Sequence, residues 1–238
     1  MAVYITGDTH GDFHRIQRFC DKASTSQSDT LIILGDSGIN YYVNQLSTWK
    51  KIKNAVKRLP ITVFCIHGNH EERAENLEGY EQKQWFNGKV LVDPEYPNIK
   101  FAIDGEVYKI PTSDGAKSAL VCGGAYSVDK YYRLIRGYNW FESEQPSDEI
   151  KNRVEDKLMK LGNSVDIILT HTCPYSYRPV DMFLPGIDQS KVDSSTELWF
   201  ETFLTRGIKF EHWYCGHYHI DRDVNSNFTL MFNQIRKL

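Results

Sequence analysis

Five short stretches hold most of the side chains capable of metal or acid–base chemistry. They are Gly7-Asp8-Thr9-His10-Gly11, Gly35-Asp36-Ser37-Gly38, Gly68-Asn69-His70-Glu71, Thr170-His171-Thr172 and Gly216-His217-Tyr218-His219, and five of the eight histidines lie in them. Imidazole mixed with carboxylate and amide oxygen suits Mn²⁺, Fe or Zn²⁺. Ca²⁺ prefers an all-oxygen shell and structural Zn²⁺ prefers cysteine. Asp8, His10, Asp36, Asn69, His171, His217 and His219 make seven candidate ligands. That is too many for one ion and about right for two divalent transition-metal ions sharing a carboxylate.

Each stretch follows a run that reads as a β-strand. Ala2–Thr6, Thr30–Leu34, Ile61–Ile66, Asp166–Leu169 and Lys209–Tyr214 are short, apolar and β-rich. In α/β sheets the C-terminal ends of strands are where ligands and catalytic groups gather. Glycine opens four of the five turns, where it permits a sharp bend and a close approach. Alone, an Asp after a strand is usually a helix cap and a lone His a core residue. The ordered conjunction carries the reading.

The remaining pattern is α/β. Helices are expected from about Phe13 to Lys22 with Asp12 as cap, from Val43 to Leu59, from Pro146 to Leu161 with Gly162 closing it, and from Thr196 to Leu204. Val90–Val92, Ile99–Ile103, Val107–Ile110, Ala119–Cys122 and Phe228–Phe232 are further strand candidates. Tyr126–Gln145 has no period and reads as an aromatic and basic insert or loop; Phe183–Val192 also reads as loop. No repeat or linker divides the chain, so one domain over 1–238 is expected.

Composition narrows the function classes. At 238 residues, length over 150 is about 1.6, room for one large domain. Lys+Arg is 28 and Asp+Glu 31, a net charge of −3, which counts against broad binding to nucleic acid or anionic membrane. No apolar run approaches the roughly 18–20 residues of a membrane span. The N-terminus lacks the pattern of a signal peptide. Five cysteines without C-x-x-C spacing read as reduced thiols of a cytoplasmic protein. Cys173 and Cys215 read as buried packing residues.

The motif set from Gly7 to His219 resembles the calcineurin-like metallophosphoesterase family. The resemblance implies two facing mixed β-sheets flanked by helices, an α/β/β/α sandwich, with a dinuclear centre at one edge. It implies that Asp8, His10 and His219 bind one metal, that Asn69, His171 and His217 bind the other, and that Asp36 bridges them. His70 matches the family's non-ligand histidine on the leaving-group side. A hydroxide shared by two dications would attack phosphorus in line, with His70 as general acid.

One departure stands out. The protein Ser/Thr phosphatases of this superfamily read Gly-Asp-x-x-Asp-Arg-Gly at the second motif. Here Ile39 stands in place of the Asp that orients the histidine, Asn40 in place of the phosphate-holding Arg, and His67 in place of the Arg before Gly-Asn-His-Glu. That counts against a protein phosphatase and leaves His70 without an assigned partner.

Substrate contacts are expected from the insert: Arg133 and Arg136 for phosphate and Tyr126 for stacking. The alternative is an aromatic cluster with solvated arginines. Arg73 is a second clamp candidate, or else a surface residue at a helix start, and His14 and His212 read as non-ligands. The expected function is hydrolysis of a phosphomonoester or phosphodiester of a small molecule or nucleotide. A nuclease and a non-catalytic scaffold are the alternatives. The scaffold is disfavoured because every ligand position and His70 are filled.

Overall fold

The structure is a computed structural model and describes residues 1–183 and 185–238. Six strands come first: β1 (Val3–Thr6), β2 (Thr30–Ile33), β3 (Thr62–Cys65), β4 (Glu81–Trp85), β5 (Gly88–Val92) and β6 (Ile99–Ala102). They form one sheet with the last strand of the chain. The second sheet follows with β7 (Val107–Thr112), β8 (Gly115–Cys122), β9 (Ile167–Thr170), β10 (His212–Cys215), β11 (Arg222–Asn225) and β12 (Phe228–Leu230). Strand β13 (Arg236–Lys237) returns to the first sheet, whose order is β13-β1-β2-β3-β6-β5-β4; the second runs β11-β12-β10-β9-β8-β7. The helices are α1 (His14–Ala23), α2 (Leu46–Lys57), α3 (Lys130–Arg136), α4 (Asp148–Lys160) and α5 (Ser195–Thr205).

The layering follows from the period of two in strands buried on both faces. Ile5, Ile32, Leu34 and Phe64 point inward and meet Tyr108, Val121, Ile167 and Leu169 of the opposite sheet. Leu31, Ile33, Val63 and Cys65 point the other way, against Ile16 and Cys20 of α1 and Val56 of α2. Leu120, Ile168 and Trp213 pack outward against Val154 and Leu158 of α4 and Phe200 and Phe203 of α5. The result is the expected helix–sheet–sheet–helix sandwich. Among the described residues, no helix is long and apolar enough to cross a membrane.

Some boundaries and elements differ from the sequence reading. The segment 126–145 is not simply loop: it contains α3 and a 3₁₀ turn at Glu142–Glu144. Helix α3 has no buried residue, so there was no apolar face to detect. Strand β4 is polar and mostly exposed on a sheet edge, joined to β5 through Phe86 and Asn87, both at positive φ. Strand β11 is likewise a polar edge strand. The second helix begins at Leu46, three residues past Val43. Asp12 is not the cap of α1: the N-cap position is Phe13, without a side-chain cap, and Asp12 Oδ1 one residue earlier accepts from His14 N at 2.9 Å. The expected loop 183–192 has one 3₁₀ turn at Gln189–Lys191, and Leu184 lies outside the described residues.

Candidate metal centre

Parallel pairing brings the motifs together. Thr6, Ile33 and Cys65 are in register at the ends of β1, β2 and β3. In the other sheet Cys122, Thr170 and Cys215 are in register at the ends of β8, β9 and β10. Each of the seven candidate ligands lies within a few residues beyond one of these ends, and the segment after β8 leaves from the same edge. His217 N donates to Asp8 Oδ1 at 3.0 Å, tying the two sheets across the centre.

The turns are tightly determined. His10, Asp36, His217 and His219 all have positive φ, of 46, 46, 70 and 52°. Such backbone costs on the order of 1–3 kcal/mol per non-glycine residue and persists where surroundings over-determine it. The neighbouring glycines make room. A Cβ on Gly35 would lie 2.1 Å from His171 Nδ1. One on Gly216 would lie 2.4 Å from Asp8 Oδ1. Arg15 of α1, not singled out from the sequence, donates to Asp8 O at 2.8 Å, Gly7 O at 3.0 Å and Thr6 Oγ1 at 2.6 Å, bracing the first turn.

The side chains present acceptors to one another. His171 Nδ1 donates to the Leu34 carbonyl at 2.7 Å, which in the neutral ring leaves the lone pair on Nε2. That nitrogen lies 2.7 Å from Asn69 Oδ1, itself 3.1 Å from His217 Nδ1. Ser127 holds the other end of the amide, accepting from Asn69 Nδ2 at 2.8 Å. His10 Nε2 and His219 Nε2 are 2.9 Å apart, and Asp8 Oδ2 beside them is buried with no hydrogen-bond partner among the described residues. The ligand atoms of Asp8, His10 and His219 lie within 4.8 Å of one another, as do those of Asp8, Asp36 and His171. Converging lone pairs of N and O without matching donors are the donor set of a transition-metal cation, so these residues fit the metals the motifs imply.

The charges agree. Burial pushes the Asp36 carboxyl up to about 7, helped by the neighbouring Asp8 carboxylate. Burial also opposes ionisation of Asp8, but the His219 imidazole and the other histidines outweigh it and hold Asp8 well below the usual carboxylate range. Burial holds His217 down to about 3, leaving its lone pair free for a ligand role. Glu71 is completely enclosed and accepts from Ser37 Oγ at 2.6 Å, Ser37 N at 3.2 Å and Gly68 N at 3.3 Å, joining the second motif to the third. Burial, with Asp36 nearby, raises its carboxyl to about 7.

His70 is anchored by its backbone N, which donates to Asp36 Oδ1 at 2.8 Å. Its ring meets the Arg133 guanidinium at Nδ1, and burial together with that cation holds it down to about 2. His70, Asp36 and Asn69 line one side of a cavity of about 480 Å³. Its other walls include Tyr126, Phe183, Tyr218 and Arg178.

The expected substrate residues are therefore separated. Tyr126 lines the cavity. Arg133 does not; its guanidinium lies against His70, held by Asp129. Arg136 lies over the Tyr132 ring, also away from the cavity. Arg73 is neither a clamp nor a surface residue: it is buried and ion-paired with Asp104. Asn40 Oδ1 accepts from Trp49 Nε1 at 3.2 Å and Tyr80 OH at 2.9 Å, and Ile39 is core, so these positions serve packing. Cys173 and Cys215 are buried free thiols. Arg178 escaped the sequence reading because it sits in a stretch without a strand or a motif.

The family model for calcineurin-like phosphoesterases matches residues 1–221 of the 238. The chain belongs to the calcineurin-like phosphoesterase family. Among curated proteins, none matches the sequence. Membership in the calcineurin-like phosphoesterases agrees with the two-sheet sandwich and with the candidate metal-binding groups at its edge. It makes the chain a phosphoester hydrolase of the metal-dependent kind.

Proposed function

We propose that this protein is a dinuclear phosphoesterase acting on a phosphomonoester or phosphodiester of a small molecule or nucleotide. One observation carries the reading. The two oxygens of Asp36 face different groups: Oδ1 lies 3.6 Å from His171 Nε2, and Oδ2 lies 3.9 Å from His10 Nε2. A carboxylate so placed suits a bridge. Asp8, His10 and His219 would hold one ion, and Asn69, His171 and His217 the other. Mn²⁺, Fe or Zn²⁺ there would supply an activated water near neutral pH and offset charge on the phosphoryl oxygens.

The chain's own residues do the rest. Asn69 is oriented by Ser127, His171 by the Leu34 carbonyl, and the first turn by Arg15. His70 stands where it can hydrogen-bond the departing oxygen. Arg178 is the cavity's own guanidinium. It stacks 3.4 Å over the centre of Tyr175, donates to Ser194 Oγ at 3.2 Å and to Tyr175 O at 3.1 Å, and its charge acts on the buried Glu197 carboxyl of the same wall. It suits a second anionic or polar group of the substrate, with Tyr126 and Tyr218 as apolar walls. The reading takes the whole chain as one phosphoesterase unit. The five buried free thiols suit a reducing cytoplasm.

The test is a phosphate-release screen of the Mn²⁺-loaded protein against phosphomonoesters, diesters and dinucleotides. Turnover of at least one class, lost on chelation and restored by metal, is expected. No release from any class at verified full metal loading would overturn the reading.

A further inference from the structure

The cavity beside the candidate metal centre has a wall that the chemistry at phosphorus does not use. Glu197 stands in that wall, in the first turn of α5, and is only 5% exposed. Its Oε1 accepts from Thr172 Oγ1 at 2.7 Å. That uses the single Thr172 hydroxyl proton, so the Tyr218 hydroxyl, 2.9 Å away, donates to Thr172 Oγ1. The donors run from Tyr218 to Thr172 to Glu197 and stop there. Glu197 Oε2 is enclosed and has no hydrogen-bond partner among the described residues. Arg178 acts on Glu197 by its charge, but it hydrogen-bonds Tyr175 O at 3.1 Å and Ser194 Oγ at 3.2 Å instead. A buried acceptor without a donor is uncommon and calls for an explanation. In the wall of a cavity, it can take its donor from a bound molecule.

The other walls indicate which kind. The Phe183 and Tyr218 rings lie 14° from parallel, with centres 6.3 Å apart. Side by side or face to face, two such rings present planes along which a flat group can lie. Val128, Met182 and Ile187 add apolar surface. A volume of about 480 Å³ falls among sites for drug-sized ligands and is far more than a bare phosphate needs.

We infer that Glu197 is a specificity-determining residue: its Oε2 accepts an N–H from the exocyclic amine of a flat heterocycle in the substrate, beyond the phosphate. The preferred esters are then those of an amino-bearing nucleoside. One free carboxylate oxygen suits one such amine, as when Glu or Asp accepts from cytosine N4. A keto group in the same place would set oxygen against oxygen and leave the carboxylate still without a donor. The inference rests on the phosphoesterase reading of the same site. It narrows the substrate class from small molecules in general to nucleotides with adenine-like or cytosine-like bases.

Nucleoside binding to the Mn²⁺-loaded protein tests it, since a nucleoside carries no phosphate and is not turned over. Calorimetric titration with adenosine, inosine, cytidine and uridine compares two amino bases with their keto counterparts. Wild type should bind adenosine or cytidine more tightly than the matching keto nucleoside, on the order of 10-fold or more. Glu197→Gln keeps an oxygen for Thr172 Oγ1 and turns the other position into a donor. It should abolish or reverse the preference, with the keto nucleoside bound no more weakly than in wild type. Should Glu197→Gln fail to fold, Glu197→Asp, which draws the carboxylate back from the cavity, should still reduce the preference. No binding of any of the four at millimolar concentration would overturn the inference, as would a wild type without preference. Equal weakening of all four in Glu197→Gln would also overturn it, leaving Glu197 as a support for the Thr172 turn alone. Failure of the parent reading looks different: the loaded protein would release phosphate from no ester, while the nucleoside preference would still stand. Release from sugar or alkyl phosphates with no nucleoside bound would sink this inference and leave the parent reading intact.

Discussion

His171 Nε2 lies 2.7 Å from Asn69 Oδ1, although one residue follows a strand of the six-stranded sheet and the other a strand of the seven-stranded sheet. The site therefore exists only where the edges of the two sheets meet. Anything that shifts one sheet against the other separates its halves.

Asp36 faces both halves, so its loss should be felt in both. Asp36→Asn is expected to lower metal content at both sites and abolish turnover, while His14→Ala, on the exposed start of α1, should do neither. Elemental analysis with phosphate release reads both. Similar activity in the two variants would remove Asp36 from the bridging position.

Gly35 has φ of 88° and no room for a Cβ beside His171. Gly35→Ala should cost at least about 2 kcal/mol, combining left-handed strain with overpacking. It should also push His171 away from Asn69 and weaken metal binding. Denaturant unfolding and metal titration check this; an unperturbed variant would mean that the turn has slack.

The carboxyl of Glu71 rises from 4.5 to about 7 on folding. Between these values the unfolded chain releases the proton and the folded one keeps it. The unfolded state then binds fewer protons, so this group makes stability fall as pH rises through that window. The limit is about 3 kcal/mol for 2.5 units. Glu71→Gln mimics the protonated form, its amide donating to Ser37 Oγ. Metal-free wild type should lose stability relative to Glu71→Gln from pH 4.5 to 7, and a pH-independent difference would contradict the shift.

Arg178 lines the cavity beside the buried Glu197. Arg178→Ala should raise KM for the best substrate by about 1.5–3 kcal/mol, the range of a hydrogen bond to a charged group, with kcat and metal content retained. Steady-state kinetics decides; an unchanged KM would place the substrate elsewhere.

What the sequence determined by itself is the set of local facts. The strand ends at Thr6, Ile33, Cys65, Thr170 and Cys215 were legible to within one residue because each strand is a short apolar run closed by a turn residue. The metal-ligand types were legible because Asp, Asn and His recur only there in such order. Polar edge strands such as β4 left no such mark, because an exposed edge needs no alternation. Helix α3 left none because it buries nothing. What only the tertiary structure decided are relations between distant side chains: Ser127 on Asn69, Arg15 beneath Asp8, Arg178 in the cavity wall, and Arg133 against His70 rather than along the cavity. The physical reason is that a ligand's place is set by its own strand end and turn, which are local. The direction of a guanidinium on a surface helix is set by whichever carboxylate, carbonyl and ring the packing of two sheets brings within reach, and no spacing along the chain encodes that.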